Sequence, residues 1–300
     1  MTLELLRNHL NAIHIGAPKA IDQLLACLVA QGHCLVQGLP GLGKTRLLRE
    51  LAKSLDLNFK RIQGTPDLMP SDITGCEVYH QKKESFEFEH GPIFSDICLF
   101  DELNRATPRT QSALLQAMEE RQVSVGKKEH SLSKYFFLIA TQNPIETEGT
   151  FRLPEAQLDR FLIRIDLKMP ETDALIKILS IVQQESKHLI SPENLTQLKE
   201  KHSTIAIAND LVRQTAEWVS STHKVEAIKA GASPRAAQAI ISFAKGLALI
   251  EGQSHVSPDN LNEAIIPCLR HRLTLKHHFL AKQNNSDELL ESMLNEKRIK

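Results

Sequence analysis

The sequence predicts an α/β fold: a P-loop core on a parallel sheet of five strands, followed by a smaller all-α domain. Three observations predict it. A glycine-rich stretch, Gly38-Leu39-Pro40-Gly41-Leu42-Gly43-Lys44-Thr45, separates an apolar run, Cys34-Leu35-Val36, from a segment with helical periodicity at 46–52. A second apolar run, Ile97-Cys98-Leu99-Phe100, ends in paired carboxylates, Asp101-Glu102. After Met169-Pro170 the strand pattern stops and the remaining segments carry helix signals. Residues 1–168 are accordingly expected to form the α/β core, with two inserted hairpins, and residues 169–300 the helical domain.

The glycine-rich stretch fits G-x-x-x-x-G-K-[ST], the pattern of a phosphate-binding loop. Several negative charges in a small volume need many donors at close range. Gly38, Gly41 and Gly43 allow backbone angles that other residues avoid, turning main-chain N–H groups inward as an anion nest. The helix after the loop aims its N-terminus at the same anion. Lys44 adds a point charge, and the Thr45 hydroxyl is a ligand for Mg²⁺. The expected nucleotide-binding set is Gly38, Pro40, Gly41, Leu42, Gly43, Lys44, Thr45, Arg46 and Asp101.

Along the chain, Leu3, Leu6, Leu10 and Ile13 share one helical face, so 1–14 reads as an amphipathic helix and not as a signal peptide. A break at 14–18 precedes a second helix at 19–29. That break either packs on the base of a nucleotide or only links two helices. Residues 59–63 form the second strand. Val78-Tyr79 and Phe86-x-Phe88 flank a polar turn, which predicts a hairpin ended by Gly91-Pro92.

Four apolar residues before Asp101 describe a buried parallel strand, and its carboxylates emerge where open α/β sheets bind ligands. An Asp there holds Mg²⁺ through water, and a Glu beside it activates an attacking water; Asp101 and Glu102 are assigned these roles. Thr107 and Pro108 open a helix through 120. Val123-x-Val125-Gly126 and Tyr135-Phe136 predict a second hairpin around a charged turn. Residues 136–141 form the fourth strand, which ends in Gln142-Asn143-Pro144, so Asn143 is placed to orient water. A short helix at 153–161 puts Arg160 at its end, and the fifth strand comes next at 161–167. Beyond 169, Ser191-Pro192, Ser233-Pro234 and Ser257-Pro258 each cap a helix. The polar tail from about 283 is expected to fray.

Composition narrows the class. Thirty-six basic residues balance 36 acidic ones, which argues against a chain whose main task is binding nucleic acid through a positive field. The 5 cysteines form no C-x-x-C pair, and several stand in apolar runs, as in a reduced, cytoplasmic chain. The 13 histidines fall in no metal-binding spacing, and His277-His278 reads as a solvated surface pair. No apolar run approaches the roughly 20 residues of a membrane span.

The order of these elements resembles an AAA+ ATPase, and several runs resemble the MoxR family specifically. They are Gly91-Pro92-Ile93-Phe94, Phe100-Asp101-Glu102-Leu103-Asn104-Arg105-Ala106 and Gln111-Ser112-Ala113-Leu114-Leu115-Gln116-Ala117-Met118-Glu119-Glu120. Ala140-Thr141-Gln142-Asn143-Pro144, residues 153–161, Gly231-Ala232-Ser233-Pro234-Arg235-Ala236 and Arg270-His271-Arg272-Leu273 complete the set, which spans nearly the whole chain. Leu103 and Phe100 depart from the usual residues, isoleucine and a small side chain, without touching the chemistry.

The resemblance implies that 38–45 is Walker A and Asp101-Glu102 is Walker B. Asn143 matches sensor 1. Arg160 matches the arginine finger, which serves ATP on a neighbouring subunit. Arg235 matches sensor 2, reaching from the helical lid to the γ-phosphate. Gln63 stands where related proteins place a polar switch that restrains the catalytic Glu. The two hairpins match inserts that face a ring pore or a partner. The resemblance also implies ATP and Mg²⁺ as ligands, a hexameric ring, and a client protein with a von Willebrand factor A domain that the ATPase remodels or activates. Competing readings are the motor subunit of a metal chelatase, separated by coupling to porphyrin metallation, and a nucleotide-gated module that does not turn over. The full set Glu102, Asn143, Arg160 and Arg235 argues against the last.

Overall fold

A computed structural model of the chain describes residues 2–126, 128–143, 149–180, 188–276, 279 and 285–300. In chain order, helices α1 (Thr2–Ile13) and α2 (Pro18–Val29) lead into strand β1 (Cys34–Gly38) and helix α3 (Lys44–Ser54). Next are strand β2 (Phe59–Gln63), helix α4 (Pro70–Thr74) and the hairpin strands β3 (Gly75–His80) and β4 (Ser85–His90). Then come β5 (Ile97–Asp101), α5 (Pro108–Glu120), a second hairpin of β6 (Gln122–Val125) and β7 (Lys128–Ser131), and β8 (Phe137–Gln142). Helix α6 (Glu155–Leu158), strand β9 (Ile163–Leu167) and helix α7 (Thr172–Ser180) lead to α8 (Pro192–Thr204), α9 (Asn209–Ser221), β10 (Ile228–Ala230), α10 (Pro234–Ile250), α11 (Pro258–Leu269), β11 (Thr274–Leu275) and α12 (Ser286–Glu296).

The sheet has five strands in the order β2-β5-β8-β1-β9, all parallel. Its apolar runs are continuous because both faces are covered. Cys34, Val36, Ile97, Leu99, Phe137 and Ile139 face one side and pack with α2 and α3. Leu35, Cys98, Phe100, Leu138 and Ala140 face the other side and meet Leu114, Leu115 and Met118 of α5. Alternation with a period of two thus builds two cores from one set of strands. Each fully buried Leu or Phe contributes about 2 kcal/mol. The first core runs without a break into the helical part, through Trp218, Phe243 and Leu261.

All three Ser-Pro signals cap helices. Ser191, Ser233 and Ser257 accept from the backbone N–H of Asn194, Ala236 and Asn260 at 3.3, 3.3 and 3.2 Å. Two expectations fail. The second hairpin does not close on Tyr135-Phe136. Its return strand is β7, a polar and largely exposed segment with no apolar signal, while Phe136 is buried beside β8. From 285 on the tail is helical and packed: α12 carries a capping box at Asn285 and buries Leu290, and Ile299 exchanges two 3.0 Å bonds with the Asn262 side chain. The hairpins meet each other, with the Phe88 and His130 rings stacked at 4.0 Å. His277-His278, Pro144 and one residue of the charged turn at 127 lie outside the described residues.

Candidate active site

The loop between β1 and α3 turns on two left-handed glycines, Gly41 at φ 83° and Gly43 at φ 75°, where other side chains are strained. Gly38 meets a different need. It is not left-handed, but a Cβ there would sit 2.9 Å from the Leu167 carbonyl oxygen. Lys44 Nζ donates to the carbonyls of Gly38 and Leu39 at 2.9 and 3.3 Å. Burial pushes its pKa below the usual lysine value, and Asp101 and Glu102 pull it back. The break after α1 brings His14 beside Gly43: its Nδ1 lies 3.4 Å from where a Gly43 side chain would begin. Burial, helped by the Arg46 charge, lowers the His14 pKa.

Asp101 ends β5, and Glu102 is next, in the left-handed region at φ 58°. The two carboxylates have separate partners. Asp101 Oδ1 accepts from the Thr141 hydroxyl at 2.6 Å, and its Oδ2 accepts from Arg61 Nη2 at 2.7 Å. Glu102 Oε2 accepts from Gln63 Nε2 at 2.8 Å and Arg105 Nη1 at 3.1 Å. Thr141 also accepts the Glu102 backbone N–H at 2.9 Å, so one hydroxyl of β8 holds the Asp101 carboxylate and the Glu102 backbone. Gln63 in turn accepts from Arg61 Nη2 at 2.6 Å. Gly64 permits this approach, since a Cβ there would lie 2.2 Å from the Glu102 carbonyl oxygen.

Pro40, Gly41, Leu42, Gly43, Lys44, Thr45, Arg46, Asp101, Glu102 and Asn143 line one cavity of about 450 Å³ at the carboxyl ends of β1, β5 and β8, together with Arg61 and Thr141. Asn143 is 9 % exposed, just past the end of β8. Arg61 and Thr141 escaped the sequence reading. Arg61 had a faint signal: it lies two residues before Gln63 and so on the same face of β2.

Arg160 and Arg235 do not line this cavity. They line a second cleft of about 310 Å³, which shares no lining residue with the first. Arg160 Nε lies 2.8 Å from Glu119 Oε2, and Arg235 Nη2 lies 3.1 Å from Glu119 Oε1. Arg235, which the resemblance matches to the lid residue that reaches a γ-phosphate, thus stands apart from the glycine-loop cavity of its own chain in this arrangement. The lid motif at 270–273 holds the same turn. Arg272 donates to Asp159 Oδ1 and to the Phe161 carbonyl, each at 2.6 Å, and His271 Nε2 bonds the Phe161 carbonyl at 3.1 Å. Burial drives the His271 pKa well below its ordinary value.

Residues 33–163 match the ATPase family associated with various cellular activities (AAA), and residues 220–293 match the AAA lid domain. The chain is 40% identical to the uncharacterized protein YeaC of Bacillus subtilis, covering 89% of this chain and 85% of that protein. It is 37% identical to the chaperone MoxR1 of Mycobacterium tuberculosis, covering 98% and 81% respectively. A crystal structure from Cytophaga hutchinsonii, whose protein carries a provisional ATPase description, superposes with a TM-score of 0.92 at 33% identity, covering 100% of this chain and 95% of that one. Glycine-loop cavity, five-stranded parallel sheet, helical lid and these relatives agree: the chain belongs to the MoxR family of AAA+ ATPases.

Proposed function

We propose that this chain hydrolyses ATP within a ring of like subunits and uses the cycle to remodel or activate a client protein. The observation that carries the reading is the convergence of the glycine loop, Asp101, Glu102 and Asn143 on one cavity. The donor set suits a triphosphate with Mg²⁺. The left-handed glycines and the N-terminus of α3 supply backbone donors. Lys44 holds its charge against loop carbonyls that the outer phosphates can replace. Thr45 and Asp101 would hold Mg²⁺, Asp101 through water, and the ion would neutralise charge on the β and γ oxygens.

In this reading 38–45 is Walker A and Asp101-Glu102 Walker B. Glu102 polarises the attacking water and Asn143 aligns it. Gln63 restrains Glu102 until a nucleotide rearranges the pair. Arg160 and Arg235 lie together in a cleft separate from their own cavity, which supports their acting on ATP held by the next subunit. Head-to-tail contacts of this kind close into rings, and a hexamer is the assembly we propose. We place the core at 1–168 and the lid at 169–300. The client, by family resemblance, carries a von Willebrand factor A domain, and the chaperone name of one relative supports a remodelling role. Five free cysteines suit a cytoplasmic setting.

The test is Glu102→Gln. It is expected to bind Mg²⁺–ATP with near-native affinity while turnover falls about 10²–10³-fold, the range of a lost general base. Turnover within a few-fold of the native chain would remove Glu102 from this role.

A further inference from the structure

Arg160 and Arg235 come from different elements, the turn after α6 and the first turn of α10, and they meet on a residue of a third, Glu119 near the end of α5. Two guanidiniums held side by side repel, and one carboxylate between them offsets that repulsion. The carboxylate gives one oxygen to each, at 2.8 and 3.1 Å. The closest approach to Arg160 is at Nε, beside the stem of the guanidinium fork. A second link holds the arginines at a common spacing. Asp159, next to Arg160, accepts from the hydroxyl of Ser233 at 3.3 Å, and Ser233 caps the helix that carries Arg235.

We propose that Glu119 is the positioning residue for both arginines, setting their spacing and aim toward the terminal phosphate of a neighbouring subunit's ATP. This rests on the proposed function, in which Arg160 and Arg235 act across a subunit boundary. Fixing the forks before the phosphate arrives removes rotamer entropy from the step that uses them. It also leaves the chain's own cavity untouched, because Glu119 is not among its lining residues.

Steady-state ATPase of the full chain tests this with Glu119→Gln and Glu119→Asp, with a melting curve for each variant. Glutamine presents an N–H to one guanidinium and so releases it. The expected result for Glu119→Gln is a kcat lowered about tenfold or more, with KM for ATP within about twofold. Glu119→Asp keeps the charge and recovers part of the loss. An unchanged or faster Glu119→Gln overturns the proposal, the faster case marking Glu119 as a residue that withholds the arginines. A large fall in melting temperature in both variants, with kcat and KM degraded together, marks a structural role and overturns it too.

Mixed rings separate this proposal from the reading beneath it. Lys44→Ala subunits carry an intact arginine face and a dead cavity, so adding them to Glu119→Gln subunits restores turnover. Arg160→Ala subunits share the impaired face and restore nothing. If Lys44→Ala rescues Arg160→Ala but not Glu119→Gln, the role of Glu119 falls and the trans reading stands. If it rescues neither, the trans reading falls and takes the Glu119 proposal with it.

Discussion

Gln63 Nε2 donates to Glu102 Oε2 at 2.8 Å, from the last residue of β2 to the residue just past β5. Parallel register makes the contact possible: Gln63 stands opposite Asp101, and Glu102 is one step further on. Glu102 itself turns through the left-handed region, which brings its carboxylate back toward the edge strand. In the proposed reading this contact restrains Glu102 until a nucleotide rearranges the pair.

Release of that restraint is expected to raise basal turnover. At this exposed position the bond is worth at most about 1 kcal/mol, so Gln63→Ala should speed ATP hydrolysis without a client by up to about fivefold. Steady-state turnover with saturating ATP checks it, and a slower Gln63→Ala would mean that Gln63 helps aim Glu102.

Arg61 is expected to compete with Mg²⁺ for Asp101. Its guanidinium bonds Asp101 Oδ2 through both Nε, at 3.2 Å, and Nη2, at 2.7 Å. The Arg61 side chain is 46% exposed, so the pair is weak, worth under about 1 kcal/mol. Arg61→Ala should therefore lower the Mg²⁺ concentration for half-maximal hydrolysis by a few-fold, up to about five. A higher requirement would instead make Arg61 a contributor to nucleotide binding.

Arg160→Ala is expected to keep ATP affinity and lose about a hundredfold or more in turnover, as removal of a trans arginine does. The native rate per subunit should climb with protein concentration while the variant stays flat and low. Sizing by ultracentrifugation across the same range shows whether a flat native profile comes from rings that are already full.

Lys199 is expected to leave a pH signature on stability. It is buried on α8, donates to the Lys134 carbonyl at 3.4 Å and lies over the Tyr135 ring, in the segment that leads into β8. Burial, with the Arg121 charge next, pushes its pKa down from 10.5 to about 8. The unfolded chain thus holds this proton more tightly than the folded one. The cost of burying the charge is fully present below about pH 8 and relieved as pH rises toward 10.5. Lys199→Met, which keeps the packing on Tyr135, should remove that part of the rise in melting temperature between pH 8 and 10. Parallel profiles for native and variant chains would show that another group supplies the rise.

Much of the molecule is legible from local pattern. The three central strands, β5, β8 and β1, announce themselves as apolar runs because a sheet covered on both faces needs no polar side there, while the edge strands β2 and β9 alternate. The three Ser-Pro caps are legible because a cap acts within one turn of its own helix. The return strand of the second hairpin shows the limit, since β7 is Lys128-Glu129-His130-Ser131 and has no apolar period to detect. The tail defies its polar composition for the opposite reason: its buried side chains, Leu290 and Ile299, are joined by backbone contacts to distant helices, the Lys297 carbonyl accepting from Trp218 of α9 and the Ile299 carbonyl from Asn262 of α11.

By itself, the sequence determined the glycine-loop pattern, the five strands of the main sheet and the family, because each depends on residue types at fixed short spacings. Tertiary structure decided which charges meet. Arg61 reaches Asp101 across 40 positions, and Arg160 and Arg235 converge on Glu119 from a turn and a helix far apart in sequence. Such pairings are set by strand order and by the seating of the lid on the core. Both result from many weak contacts summed over two hydrophobic cores, and no short spacing along the chain encodes that sum.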